Sequence, residues 1–230
     1  MSATIITRST SSGIDSVADQ VEQAILDHRL APGTKLTEDE LASIYKVGRT
    51  IVRSSLLKLT HKGLVDLHRN RGAFVAQPSV REAREVMEAR ALLEPRTARS
   101  AAERAGPADV KRLHRHIEQE HAALEASNTG KAVYLSGEFH IAIARIADQT
   151  TIEQFIAALI ARSSLIVALY WRRRDALCES NAHHALVNSI AEGDGQRAEE
   201  LMTSHLVDLV SCLDLSDRPA PPQTLREALL

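Results

Sequence analysis

Three of the ten histidines in this 230-residue chain stand where they could do chemistry. His140 recurs with Ser136, Ile143 and Ala144 at helical spacing, His183 with Leu186, Val187 and Ile190, and His205 with Leu201, Met202 and Leu209. Each therefore faces inward on an amphipathic helix. A single inward histidine is usually a hydrogen-bonded core residue. Three of them on three helices make a candidate metal site, because neutral imidazole suits zinc, nickel or iron and bundle interiors host such sites. His184 is turned one step away from its apolar row, and His114, His116 and His121 lie among charges on a helix expected to be solvated. Arg90 shares a face with Met87, Leu93 and Glu94, so it can salt-bridge Glu94 or help a polar cluster of Ser136, His140, His183 and His205 hold a small carboxylate.

The second constellation is basic. Residues 46 to 72 hold seven Lys and Arg against one acid, whereas residues 79 to 230 hold 18 against 22 and the whole chain has a net charge of -2. A local basic stripe on an acidic protein marks a nucleic-acid-binding module joined to something that need not touch nucleic acid. Nonspecific DNA packaging, which needs basic charge throughout, is disfavoured. Arg49 and Arg53 are four apart, flanking an inward row of Val52, Leu56 and Leu59, with Thr50 beside them. Guanidiniums so placed can read guanine edges or clamp phosphates of double-stranded DNA.

Several elements must position these groups. Residues 14 to 29 put Val17, Val21, Ala24 and Ile25 on one helical face, with Asp15 or Ser16 as cap. After a Pro-Gly turn, Thr37 and Glu40 are spaced as a capping box for a short helix, Glu38 to Tyr45. Residues 46 to 48 turn the chain into a third helix from Arg49 to Lys62, ended by Gly63. "LVDLH" and "AFVA" alternate on either side of Arg69-Asn70-Arg71-Gly72 as a two-stranded hairpin. Residues 14 to 77 are thus expected to form a winged helix-turn-helix.

Beyond Pro78, helix-sized amphipathic segments cover 80–105, 108–127, 131–148, 151–175, 179–192 and 194 to about 213. Their short connections predict a six-helix antiparallel bundle over residues 79 to 214. The fold class is mainly α, in keeping with 44% apolar but only 3% aromatic residues. Residues 1 to 13, rich in Ser and Thr, are expected as a mobile arm, and residues 215 to 230 as a Pro-rich tail. Cys178 and Cys212 form no CxxC and are expected to be small core residues. With neither a leader-like stretch nor a run of 18 apolar residues, a cytoplasmic chain with no membrane partner is expected.

These residues resemble a known family. "LAPGTKLTEDELASIYKVGRTIVRSSLLKLTHKGLV" followed by "RGAFV" is similar to the DNA-binding domain of GntR-family bacterial transcription regulators. The resemblance implies that Arg49 and Arg53 contact operator DNA and that Arg71 and Gly72, at the wing tip, enter the minor groove. Gly48, Ile51 and Ser54-Ser55 depart from the family's usual Ser, Pro and Glu-Ala. "RALLEP", "SGEFHIAIARIADQT" and "HHALVNSIAEGDGQRAEELMTSHL" resemble the FCD effector domain of the FadR subfamily, and six bundle helices resemble its VanR-type branch. The resemblance implies a metal on His140, His183 and His205, with Ser136 standing where the family has an Asp ligand and Gln149 where it commonly has Asn.

The expected protein is a dimeric, ligand-responsive regulator, with repression as the family's commoner mode. It would bind a palindromic operator and sense a small organic acid. The alternative is a three-His metallohydrolase fused to a DNA-binding domain, disfavoured because no inward carboxylate is spaced to act as a general base near the histidines.

Overall fold

The computed structural model describes residues 3–172 and 179–216, with side chains from 13 to 172 and from 181 to 216. Most of residues 215 to 230, the 173–175 end of the fourth bundle segment, and Cys178 lie outside the described residues; Cys212 is half-buried.

The N-terminal unit runs α1 (Ala3–Leu26), β1 (Lys35–Leu36), α2 (Glu38–Tyr45), α3 (Arg49–His61), β2 (Val65–His68) and β3 (Gly72–Val75). Helix α1 begins inside the stretch expected as an arm. Once Val17, Ala18 and Val21 are buried, extending the helix toward the N-terminus adds one hydrogen bond per residue ordered. It stops at Leu26, short of residue 29, because His28 turns left-handed at φ 57° and Leu30 N–H donates back to Ala24 O at 2.9 Å. The Thr37–Glu40 capping box is also corrected. Thr37 holds the cap position but makes no cap hydrogen bond, and its hydroxyl donates to Glu40 Oε2 at 2.8 Å. The wing has a third strand, in the order β1-β3-β2, with Lys35 opposite Phe74 and Leu36 opposite Ala73. At two residues, β1 is too short to show a sequence period.

The bundle comprises α4 (Val80–Ala102), α5 (Pro107–Glu125), α6 (Thr129–Ile146), α7 (Thr150–Tyr170), α8 (Glu179–Ala191) and α9 (Gly195–Ser211). Each of the six expected segments overlaps one of them, with α5, α6 and α7 starting one or two residues earlier than expected. Ser79 starts α4 with a capping box to Glu82, Pro107 opens α5 at a position where proline costs no hydrogen bond, and Asn128 and Asp194 cap α6 and α9. Helix α7 is long and apolar enough by composition to cross a membrane. Here it packs on α4 and α6, and its Ala161 and Leu165 join the apolar core of the N-terminal unit beside Val52, Leu56 and Leu59.

The two units meet at the end of α1. His28 Nε2 lies 3.0 Å from Ser164 O and 3.1 Å from Ser164 Oγ, and that hydroxyl donates to Leu26 O at 3.3 Å. Gly130 is obligatory for the approach, since a Cβ there would stand 2.1 Å from Asp27 O. Burial first, only partly offset by the Ser164 hydrogen bond and Asp27, holds the His28 pKa below 6.5. The unfolded chain therefore binds this proton first as pH falls, so the stabilising effect of His28 is complete above about 6.5 and fades in acid. Replacing His28 with Asn, which tolerates a left-handed backbone, should flatten the loss of stability between pH 6.5 and 5. Denaturant unfolding of both proteins across that range checks it, and parallel pH profiles would remove His28 from the account.

Candidate functional site

The histidine cluster is built from three helices. His140 on α6, His183 on α8 and His205 on α9 are all buried, and each offers a ring nitrogen so that the three atoms lie within 4.8 Å of one another. His140 Nε2 and His205 Nε2 are 3.2 Å apart, with their rings stacked. The His183 ring centroid is 4.8 Å from that of His205 and stacks on Phe139 at 4.3 Å.

Two buried carboxylates, neither expected as part of this site, orient the rings. Glu94 Oε2 lies 2.5 Å from His140 Nδ1, and Glu120 Oε2 lies 3.0 Å from His183 Nδ1. The inward carboxylates that the sequence was expected to lack are therefore present. Burial alone would raise the Glu94 pKa, but Arg90 and His140 outweigh it and hold the carboxyl well below the usual range. An ionised Glu94 fixes the His140 proton on Nδ1 and leaves Nε2 as the metal-seeking atom. Burial pushes Glu120 up to about 7, against the pull of the surrounding histidines. Burial lowers His140, and lowers His205 well below 6.5. Both are neutral at pH 7, the state that ligates.

The donors fit a divalent ion. A metal about 2.0–2.1 Å from each imidazole separates its ligands by roughly 3 Å, which the His140–His205 spacing of 3.2 Å already meets. The carboxylates behind His140 and His183 supply the outer support that metal-bound imidazoles require. Such an ion would brace three helices and offer open positions to a ligand carboxylate.

A cavity of about 230 Å³ adjoins the cluster. Arg90, Ser136 and His140 line it, whereas His183 and His205 do not. These two, expected as effector contacts, sit behind His140. Ser136 lies one turn before His140 and is half-buried. Arg90 is tied to Glu94 at 2.5 Å with both side chains buried, so the salt bridge and the place in the cavity wall coexist. Glu22 and Leu26 of α1 also line the cavity. His114, His116 and His121, expected to be solvated, are half-buried, and His184 packs its ring against those of His121 and His114 at 5.3 and 6.4 Å.

Glu94 was expected only as a salt-bridge partner of Arg90, not as the partner of His140. Glu120 was missed although Leu113, Ile117 and Glu120 occupy one helical row, which marks an acid on a buried face.

On the N-terminal unit, Arg49, Thr50 and Arg53 are exposed along α3, and Arg71 and Gly72 are exposed at the wing tip. Gly72 has φ 97°, a left-handed backbone that favours glycine. Arg71 lies 5.7 Å over the Phe74 ring. Each recognition-helix arginine has an acidic partner on α2: Arg49 Nε is 2.5 Å from Asp39, and Arg53 grips Glu38 at 3.0 and 2.8 Å. The basic stripe is divided. Lys58 pairs with Asp15 and Asp19 on α1, and Lys62 with Glu22, so these two lysines bind the helices to each other.

A helix-turn-helix with an exposed basic helix and wing, carried on a helical bundle with an internal cavity, defines a DNA-binding transcription regulator. The gntR family of bacterial regulatory proteins matches residues 14–75 and the FCD domain matches residues 85–208. The chain belongs to this family, in the FadR-like subfamily whose members join the two domains. The HTH-type transcriptional repressor RspR of Escherichia coli is 27% identical over 184 residues, 78% of this chain and 79% of RspR. The HTH-type transcriptional regulator LutR of Bacillus subtilis is 26% identical over 212 residues, 82% of this chain and 95% of LutR. A putative GntR regulator from Rhodococcus shares the fold, with a TM-score of 0.76 at 22% identity over 87% of this chain and 96% of that one. The family and these relatives are regulators, which sets aside the metallohydrolase reading.

Proposed function

We propose that the chain is a cytoplasmic, homodimeric repressor that binds a palindromic operator and releases or tightens it when a small carboxylate enters the cavity beside a metal on His140, His183 and His205. The observation that carries this reading is the shared wall: Arg90, Ser136 and His140 face the same space as Glu22 and Leu26 of the DNA-binding unit. A ligand there touches both units, and its unequal affinity for two arrangements of them is what an allosteric response requires. Arg49, Thr50 and Arg53 would enter the major groove, with Arg71 and Gly72 at the minor groove; their exposure supports this. The named repressor among the relatives supports repression. The FCD domain, a family known for effector binding, supports the cavity as the ligand site.

Two recognition helices related by a two-fold axis read an inverted repeat. Selection from randomised duplex, followed by footprinting, should therefore return a short inverted repeat protected on both half-sites. A footprint lacking two-fold symmetry would reject the dimer.

A further inference from the structure

Helix α1 looks two ways near its C-terminal end. Glu22 lines the cavity, yet its Oε2 also lies 2.5 Å from the Nζ of Lys62, the residue that closes α3. The Glu22 side chain is 17% exposed and that of Lys62 40%, so the pair sits at the seam with water on the lysine side. The same end of α3 rests on the bundle, where a Cβ at Gly63 would meet the Arg162 side chain at 3.3 Å. Ala161 lines the cavity and packs in one apolar cluster with Leu56 and Leu59 of α3.

The polar part of the cavity wall is unevenly charged. Its cationic groups are Arg90, already gripped by Glu94, Arg145, held by Glu153 at 2.9 Å, and His140 with whatever metal it holds. Glu22 and Glu138 line the same space. A plain alkyl carboxylate offers nothing to these acids, while an acid bearing hydroxyl or ammonium donors can satisfy them. Such a donor would compete with Lys62 for Glu22, and half-exposed ion pairs are weak enough to be displaced.

Resting on the ligand reading above, we infer that the cavity selects carboxylates carrying hydrogen-bond donors, that Glu22 reads those donors, and that engaging Glu22 loosens Lys62 and so the end of the recognition helix. By reciprocity, freeing Glu22 from Lys62 must strengthen ligand binding.

The probes are gluconate and hexanoate, two six-carbon monocarboxylates with and without hydroxyl donors, titrated calorimetrically into the zinc-loaded full-length protein. Wild type should prefer gluconate. Glu22→Gln should lower the gluconate-to-hexanoate affinity ratio about tenfold, the loss expected for a hydrogen bond to a charged group. Lys62→Met should raise gluconate affinity. Opposite signs in the two variants set this apart from a structural ion pair, whose loss from either side acts in one direction. Acetylation of Lys62 by acetic anhydride, followed by mass spectrometry, should be faster with gluconate than with hexanoate. An unchanged ratio in Glu22→Gln, or the same direction in both variants, overturns the inference. Hexanoate binding without gluconate binding overturns it and leaves the ligand reading standing, whereas no binding of either acid overturns both.

Discussion

Ser136→Asp should tighten metal binding, and His205→Ala should abolish it. A serine hydroxyl is a poor ligand beside a carboxylate. Ser136 stands one turn before His140 on the same wall of the cavity, so an aspartate there supplies a fourth donor to the three histidines. The gain should exceed the roughly tenfold that an outer-shell partner is worth. Glu120→Gln should weaken binding by roughly 10- to 100-fold, because the group behind His183 then no longer raises the basicity of its ring. Protons compete with the metal, and burial keeps His140 and His205 neutral below the ordinary value of 6.5. The metal should therefore persist further into acid than free imidazole would allow. Elemental analysis and competition with a chelator decide among these outcomes. A metal-free wild type together with an unresponsive Ser136→Asp would reduce the cluster to a polar core.

Replacing Arg49 or Arg53 with Ala should cost roughly 1–3 kcal/mol on the selected operator and much less on random duplex. Equal losses on both would demote the arginines to phosphate contacts. The acids on α2 add a second arm. Asp39 and Glu38 hold these guanidiniums in the DNA-free chain, so Glu38→Gln should raise affinity for any duplex and steepen its salt dependence. Lys58 and Lys62 behave differently because α1 neutralises them. Their removal should weaken the packing of α3 on α1 before it changes the salt slope. Binding isotherms at several salt concentrations separate the two effects.

The fold was legible wherever periodicity and caps agreed. Glu38–Tyr45 and Arg49 onward lie between a Thr, a Gly-turn and apolar rows at helical spacing, and the structure follows them nearly residue for residue. The six bundle helices were equally plain, because each buried row repeats over several turns. Local pairings that no period encodes were not legible: β1 pairs through two residues, and the end of α1 is set by one left-handed histidine. The three histidines could be found because each sits in an apolar row. Of their carboxylate partners, Glu94 was assigned to Arg90 alone, and Glu120 was overlooked because acids read as solvated by default, although the Leu113-Ile117-Glu120 row argues otherwise. The wall supplied by α1 was beyond reach, since nothing local in "VEQAIL" points to a cavity formed with α6 and α7.

The place of Ala161 and Leu165 in the core of the N-terminal unit bears on how the chain comes apart. A DNA-binding half cut at Pro78 would lose two of the side chains that complete the apolar core around Leu56 and Leu59. Unfolding of the bundle strips the same cover. Unfolding of the two halves should therefore be coupled, and a ligand that stiffens the bundle should raise the melting point of the DNA-reading half as well.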